Sequence, residues 1–478
     1  MLSTSTYYEI VRPNVKNFIK SLRDLGYTFE IAVADILDNS ISAGAKTINI
    51  YADKNPEMIM SLLDDGLGMN EAELIEAMRL GSKDPDEERM KNDLGRFGMG
   101  LKTASFSQCK KITVISKKEG TLSAKQWDLD FVENSEEWQL ITPSLNIIKE
   151  LPLFDELDNL DHGTIVVWES IDAFQPDAFI EIINGLRDHL SLVFHRFLEG
   201  DIKGKKINIF VNGNPLLPFD PFNEKNNATQ WLPEQKIKFN NSSIRIQPVI
   251  LPHHSKMSRQ EYDKYATTEG YTKSQGFYLY REGRLLIHGT WWGLHKVSDA
   301  HRLVRIKIDA TNDQDYLWNI DVKKSTASPN KDIRTELKKI LDQVLERGSR
   351  PYTGRGRKIE DKTTTRFWDI AHSEDEITFS INKKHPLLFQ LLNVLEDNQI
   401  EILNAYFKGL EAYLPLAAIQ SHMMTEPHKI KQESKFSKEE IRDLAIKLKA
   451  LNLDDLDINE FLKTEIFKHH KELLKDGY

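Results

Sequence analysis

Three polar segments, each set against an apolar run, constrain this chain more than any other feature. Residues 34–45 read Ala-Asp-Ile-Leu-Asp-Asn-Ser-Ile-Ser-Ala-Gly-Ala, residues 64–69 read Asp-Asp-Gly-Leu-Gly-Met, and residues 95–105 read Gly-Arg-Phe-Gly-Met-Gly-Leu-Lys-Thr-Ala-Ser. On a helix, Asp35, Asp38 and Asn39 fall at i, i+3 and i+4 and share one face, while Leu37 and Ile41 anchor another. A carboxylate beside an amide suits Mg²⁺, which takes oxygens from one or two side chains and the rest from water and phosphates. Asp64 ends an apolar run. A carboxylate there can accept from an adenine amino group, and Gly66 and Gly68 let the backbone approach the base. The third segment is a glycine-rich turn opening a helix, where free N–H groups and the helix dipole make an anion site to which Lys102 adds charge. It lacks the Gly-Lys-Ser/Thr ending of a P-loop. Taken singly, the three read first as a polar helix face, an Asp-Gly turn and a plain glycine turn. Their order and spacing together carry the weight.

The surrounding pattern is mixed α and β. Apolar spacing predicts helices over 14–25, 29–43 and 174–197, and strands over 47–51, 58–63, 111–115, 124–131 and 163–169. A second block begins near residue 205, with strands expected over 207–211, 243–250, 276–280, 284–288, 303–308 and 319–322 and a helix over 331–346. Residues 347–366 hold seven cations (Arg347, Arg350, Arg355, Arg357, Lys358, Lys362, Arg366) against Glu360 and Asp361, a local charge of 7 − 2 = +5. With Gly348, Gly354, Gly356 and Pro351 they read as a linker or basic loop. A mainly helical tail follows. Its Leu-rich stretch 386–416 reads as a core or dimerisation bundle rather than a membrane helix, because acidic residues interrupt it.

At 478 residues the chain has room for two or three domains. Its net charge of −9 (64 Lys+Arg, 73 Asp+Glu) argues against a whole-molecule polyanion binder but not against a local basic patch. The single cysteine, Cys109, excludes a disulfide framework and a Cys-based zinc site, and fits a cytoplasmic, reducing compartment. It reads as a small buried residue rather than a nucleophile. No apolar run is long enough to span a membrane, and the start of the chain lacks the basic and apolar regions of a signal peptide.

Together, the three segments resemble the motifs of the GHKL ATPases, the superfamily of gyrase, heat-shock chaperone, histidine kinase and MutL proteins. A fourth element, His162-Gly163-Thr164-Ile165-Val166, is similar to the strand that closes their nucleotide pocket. The form of residues 95–105 looks most like the microrchidia (MORC) branch, and Asp-Asn-Ser-Ile-Ser-Ala-Gly-Ala is close to the MutL branch. Residues 275–285 (Gln-Gly-Phe-Tyr-Leu-Tyr-Arg-Glu-Gly-Arg-Leu) resemble a strand pair of the transducer domain. Residues 318–325 resemble the loop carrying the transducer lysine, which is placed on Lys324 with Lys323 as the alternative.

The resemblance implies an α+β chain: an N-terminal GHKL (Bergerat) α/β sandwich over 1–200, a ribosomal-S5-like α/β transducer domain over 201–346, and a basic linker with a helical C-terminal tail over 347–478. It implies ATP and Mg²⁺ as cofactors. Asn39 would be the metal ligand. Asp64, Gly66, Gly68, Met69, Gly95, Gly98, Met99, Gly100, Leu101, Lys102 and Thr164 would bind nucleotide, with a lid over about 70–93. Asp35 and Lys324 would be catalytic. Asp35 stands where the family usually has a glutamate general base, one methylene longer, and Glu30 lies on another helical face. The implied function is a slow ATPase whose heads dimerise as an ATP-gated clamp, with residues 1–15 as the N-terminal arm that ATP orders. The clamp would act on DNA or a DNA-processing complex, and Arg347, Arg350, Arg355, Arg357 and Lys358 are candidate phosphate contacts. The alternative is an ATP-sensing subunit of a bacterial antiviral or restriction system with little turnover.

Overall fold

The computed structural model describes residues 14–81, 100–202, 206–239, 242–266, 270–321, 324, 326–357, 364–372, 377–425, 429–430, 436–451 and 455–475. The chain divides into two compact units, residues 1–253 with 263–348, and residues 254–262 with 349–478.

The first unit begins with a mixed seven-stranded sheet. Its strands are β1 (Thr47–Asp53), β2 (Ile59–Asp64), β3 (Cys109–Lys118), β4 (Thr121–Asp128), β5 (Gly163–Ile171), β6 (Asn208–Val211) and β7 (Asn214–Pro215), in the spatial order β4-β3-β5-β2-β1-β6-β7. Its helices are α1 (Val15–Arg23), α2 (Phe29–Ser42), α3 (Glu71–Met78), α4 (Gly100–Gln108), α5 (Leu129–Ser135), α6 (Leu145–Lys149), α7 (Phe154–Asp158), α8 (Phe179–Val193) and α9 (His195–Glu199). Period-two alternation divides the strand side chains between two faces. Leu62, Val114 and Val166 join Ala32, Val33, Phe106 and Leu190 in one core. Their neighbours Leu63, Ile115 and Val167 pack with Ile148, Phe154 and Leu157 of α6 and α7 on the other. The result is an α/β sandwich.

A second sheet follows, with strands β8 (Gln230–Trp231), β9 (Gln235–Phe239), β10 (Ser242–Ile250), β11 (Gly276–Arg281), β12 (Arg284–Thr290) and β13 (Val304–Ala310) in the order β12-β11-β13-β10-β8, β9 also pairing with β10. Beside it lie α10 (Arg259–Ala266), α11 (Gly270–Lys273) and α12 (Lys331–Arg357). The faces of β11 divide the same way. Phe277 and Leu279 pack with Ile333, Leu337 and Leu341 of α12. Tyr278 and Tyr280, with Leu285 of β12, belong to the core of the first sheet. This shared core brings β12 against the α2–α8 layer.

In the second unit, β14 (Trp368–His372) and β15 (Ile377–Ile381) form an antiparallel pair. The helices α13 (Pro386–Leu392), α14 (Asp397–Ala412), α15 (Leu416–Thr425), α16 (Lys438–Lys449), α17 (Asp455–Phe461) and α18 (Glu472–Lys475) make up most of the rest. A small core gathers Ile441, Ala445, Leu448, Phe461 and Phe467. No helix of the described residues is long and apolar enough to cross a membrane.

Several local expectations are corrected. The predicted linker is helix up to Arg357, because α12 continues through Pro351 and the glycines. Gly348 is small for a packing reason: a Cβ there would strike the Val304 side chain. The strand expected over 124–131 ends at Asp128, whose carboxylate caps α5 by accepting from Phe131 N at 3.1 Å. The helix expected over 174–197 breaks at Phe194 (φ −106°, ψ 14°) between α8 and α9. Asn319 adopts φ +42° in a turn, so 319–322 does not begin as a strand. α14 buries none of its residues, and Ile402 and Tyr406 are exposed, which removes it from any core bundle within the described residues.

Candidate functional site

Thr28 caps α2, accepting from Ile31 N. Val33, Ile36 and Leu37 fix the helix against the sheet, and its polar residues then divide. Asp35 and Asp38 are buried, whereas Asn39 is exposed and donates from Nδ2 to Asp35 O at 3.2 Å. That bond uses the amide nitrogen and leaves the oxygen for a cation.

The buried carboxylates meet two cations from the second sheet's side of the unit. Lys324 Nζ lies 2.6 Å from Asp38 Oδ2 and 3.3 Å from Asp35 Oδ1. Arg284 Nε lies 3.0 Å from Asp38 Oδ1, and its Nη2 lies 3.7 Å from Asp35 Oδ1. Tyr27 donates its hydroxyl to Asp35 Oδ2 at 3.1 Å. Burial pushes the Asp35 carboxyl above its usual range, opposed chiefly by Lys324 and Arg284. Burial also pushes the Tyr27 phenol up, so it stays a proton donor. His189 on α8 is held down to about 3 by burial, with Arg284 and His288 adding to the effect, and is neutral. A cavity of about 180 Å³ behind this cluster is lined by residues that include His189, Arg284, His288 and Lys324.

Asp64 closes β2 and pairs in register with Thr164 of β5. Ser40 donates to its Oδ2 at 2.7 Å, and Gly66 N donates to Oδ1 at 2.9 Å. Burial, the dominant effect, pushes this carboxyl up to about 6. The glycines here are dictated by space. A Cβ on Gly66 would lie 2.8 Å from Asp64 Oδ1, and one on Gly163 would lie 2.5 Å from Asp64 O. Gly68 has φ +66°, and a Cβ would strike the Lys117 carbonyl. Gly68→Ala is therefore expected to destabilise the protein by about 2 kcal/mol or more, measured by denaturant unfolding. An unchanged midpoint would contradict this packing. Met69 N donates to Ser116 Oγ at 2.8 Å, and Ser116 Oγ lies 2.8 Å from Thr164 Oγ1, which ties the turn to β3 and β5. His162 Nδ1 meets Gly66 O at 2.7 Å.

Gly100 opens α4, and a Cβ on it would lie 3.8 Å from Asp35 Oδ2, so this helix start adjoins the carboxylate cluster. Leu101 is half-buried beside it. Lys102 departs from expectation. Its side chain is buried and donates to Ala77 O at 2.9 Å, because the third position of α4 turns toward α3 rather than outward. Gly95, Gly98, Met99 and Lys323 lie outside the described residues, as do Lys358, the second half of the expected lid (82–93) and residues 1–13. Arg347 is exposed. Arg350, Arg355 and Arg357 fall on α12, where the backbone alone is described. The Glu30 carboxylate lies by Gly185 of α8, 3.1 Å from where a Cβ would stand. Cys109 is buried, its thiol pushed up by burial.

Arg284, Tyr27, Ser40 and Ser116 are contributors that sequence reasoning missed. Only Arg284 carried a signal, a cation opening the apolar run Leu285-Leu286-Ile287 after a Glu-Gly turn.

These residues fit a magnesium nucleotide. A glycine-lined turn adjoins a buried carboxylate, a helix N-terminus lies beside the cluster, and Asn39 offers an amide oxygen to a cation whose charge would neutralise phosphates. Asp35 and Asp38 are already matched by two cations, so Asn39 is the residue of this helix that would hold a metal.

A family model described as histidine kinase-, DNA gyrase B-, and HSP90-like ATPase matches residues 27–164. The chain is 32% identical over 109 residues to ATPase morc-1 of Caenorhabditis elegans, covering 23% of this chain and 12% of that protein. It is 28% identical over 144 residues to ATPase MORC2B of Mus musculus, covering 29% and 14%. It is 32% identical over 117 residues to DNA mismatch repair protein MutL of Anaplasma phagocytophilum (strain HZ), covering 24% and 18%. The match thus spans less than a fifth of each relative's length. The family match runs through α2 and β2 to the first residues of β5, and this region of the chain is a GHKL-type ATPase domain similar to those of MORC and MutL proteins.

Proposed function

We propose that this chain binds Mg-ATP in the site built on α2, β2 and α4, hydrolyses it slowly, and uses the ATP state to gate dimerisation of its heads around DNA or a DNA-processing complex. The observation that carries this reading is Lys324, which arrives from a loop 286 residues along the chain to sit at 2.6 Å from Asp38 and beside Asp35. A cation delivered by the second sheet's side to the helix of the proposed base makes the site composite, and a composite site is what nucleotide state can open and close.

In this reading Asn39 holds the metal and Asp64 accepts from the adenine amino group. The turn at Gly66 and Gly68 lies against the base. Thr164 and Met69 line the pocket through Ser116. The N-terminus of α4 at Gly100 and Leu101 receives phosphate oxygens. Asp35 accepts a proton from the attacking water, with Tyr27 holding its other oxygen. Lys324 moves to the charge that develops on the transferred phosphoryl group. Bound magnesium supplies charge neutralisation across the phosphates. Residues 1–15, Gly95, Gly98, Met99 and the lid would complete the site, and Arg347, Arg350, Arg355, Arg357 and Lys358 would contact phosphodiesters.

The test is ATP hydrolysis with and without duplex DNA, beside sedimentation of the protein with ADP and with a non-hydrolysable ATP analogue. The expected result is turnover stimulated by DNA, and a dimer with the analogue only. Asn39→Ala is expected to remove magnesium-dependent binding. Analogue binding with no change of mass would sink the clamp.

One observation favours a second reading. Asp35 is a short carboxylate already engaged by Tyr27, Lys324 and Arg284. A base so enclosed suits an ATP-sensing subunit, including one in a bacterial antiviral or restriction complex, where a partner must open the site. Nucleotide binding with no turnover under any condition would select it.

A further inference from the structure

The Asp35–Asp38 pair is matched by two cations that differ in how they are held. Asp35 and Asp38, at 1% side-chain exposure, and Arg284, at 4%, are buried, and Lys324 is half-buried with its side chain at 9%. Arg284 is fixed in β12 with its guanidinium over the Phe194 ring at 5.6 Å. Lys324 projects from a loop, at φ +54°, on a flexible four-carbon stem. The two compete for the same oxygens, since both approach Asp35 Oδ1 while dividing the oxygens of Asp38. Asp35 Oδ1, Asp38 Oδ1 and Arg284 Nε are buried without an aligned hydrogen bond. Charge is balanced here while directional bonding is left unused, so the arrangement can be re-paired.

We propose that Arg284 is a positioning residue that competes with Lys324 for the Asp35–Asp38 carboxylates and so sets how readily Lys324 is released to a terminal phosphate. The inference rests on the reading of Lys324 above and adds a residue to which no role has been given. When Lys324 leaves, one guanidinium already spans both carboxylates, Nε at Asp38 and Nη2 at Asp35, and only a small rotation is needed to align its bonds. Without Arg284, two buried carboxylates would share one lysine. Removing a partner from a buried pair leaves an uncompensated charge, which binds the remaining cation more tightly. Lys324 would then stay on Asp38, and the site would lose its preference for a triphosphate.

The experiment compares adenylyl imidodiphosphate with ADP by calorimetric titration of the full chain carrying Arg284→Met, Arg284→Lys, Lys324→Met, or Arg284→Met with Asp38→Asn. For Arg284→Met, the imidodiphosphate affinity is expected to fall roughly ten-fold or more, with ADP affinity within about two-fold of wild type. Arg284→Lys keeps the charge and is expected to recover most of the loss. The double variant removes the surplus carboxylate and is expected to recover it too, which also separates the effect from misfolding. Equal weakening of both nucleotides in Arg284→Met, or an unchanged ratio, overturns the proposal. Lys324→Met separates the two levels. If it removes the triphosphate preference while Arg284→Met does not, only the role of Arg284 falls. If Lys324→Met leaves the preference intact, the reading of Lys324 falls and takes this inference with it.

Discussion

Asp35→Ala is expected to lower ATP turnover by about a hundred-fold or more, the scale of a lost general base, while nucleotide affinity stays close to wild type. The carboxylate reaches toward α4 and is held by Tyr27 on one oxygen and by cations on the other. In the proposed function adenine is bound at Asp64, which lies on β2 rather than on α2. A single-turnover assay beside a binding titration separates the two effects. Binding lost together with turnover would mean that Asp35 holds the pocket together rather than acting on water. Retained turnover would remove it as the base.

The second large effect is expected at Asp64. Asp64→Ala removes a charged acceptor and leaves Ser40 and the Gly66 amide without their buried partner. A hydrogen bond to a charged group contributes about 1.5–3 kcal/mol, so ATP affinity is expected to fall by roughly ten- to a hundred-fold. The same residue predicts a pH dependence. Its carboxyl is pushed up to about 6 by burial, and the ionised form is the acceptor. Affinity is therefore expected to be full near pH 7.5 and to weaken as the pH falls through about 6. Stability runs the opposite way for this group. The folded state holds the proton more tightly than the unfolded chain, whose value is near 3.8. Its contribution is present below that value and is lost as the pH rises through about 6. Titrations at pH 5.5 and 7.5 check the binding effect, and equal affinities at both would remove Asp64 from adenine recognition.

The residues whose roles depend on local spacing are legible in the amino-acid order alone. Asp35, Asp38 and Asn39 share a helix because α2 has strong apolar spacing and a threonine cap. Asp64 ends a strand because an apolar run stops there and glycines follow. Even so, the shared face has two environments. Whether a helix position meets a second layer is a property of packing, and Asp38 turns inward while Asn39 does not. The basic stretch after residue 346 misleads because glycine and proline favour loops on average. Here close approach to Val304 explains Gly348, and the helix runs on through its neighbours to Arg357.

The sequence by itself therefore determined the alternation of helices and strands, the order of the motifs and their likeness to the GHKL ATPases. Each rests on interactions within a few residues of chain. Only the tertiary structure decided which groups meet. Lys324 and Arg284 reach the carboxylates of α2 because alternate residues of β11 serve two cores, Phe277 and Leu279 one and Tyr278 and Tyr280 the other. Lys102, adjacent to the glycine motif in sequence, turns instead to α3. The charge balance at the site is thus set by sheet topology, through pairs separated by hundreds of residues, and no local pattern encodes it.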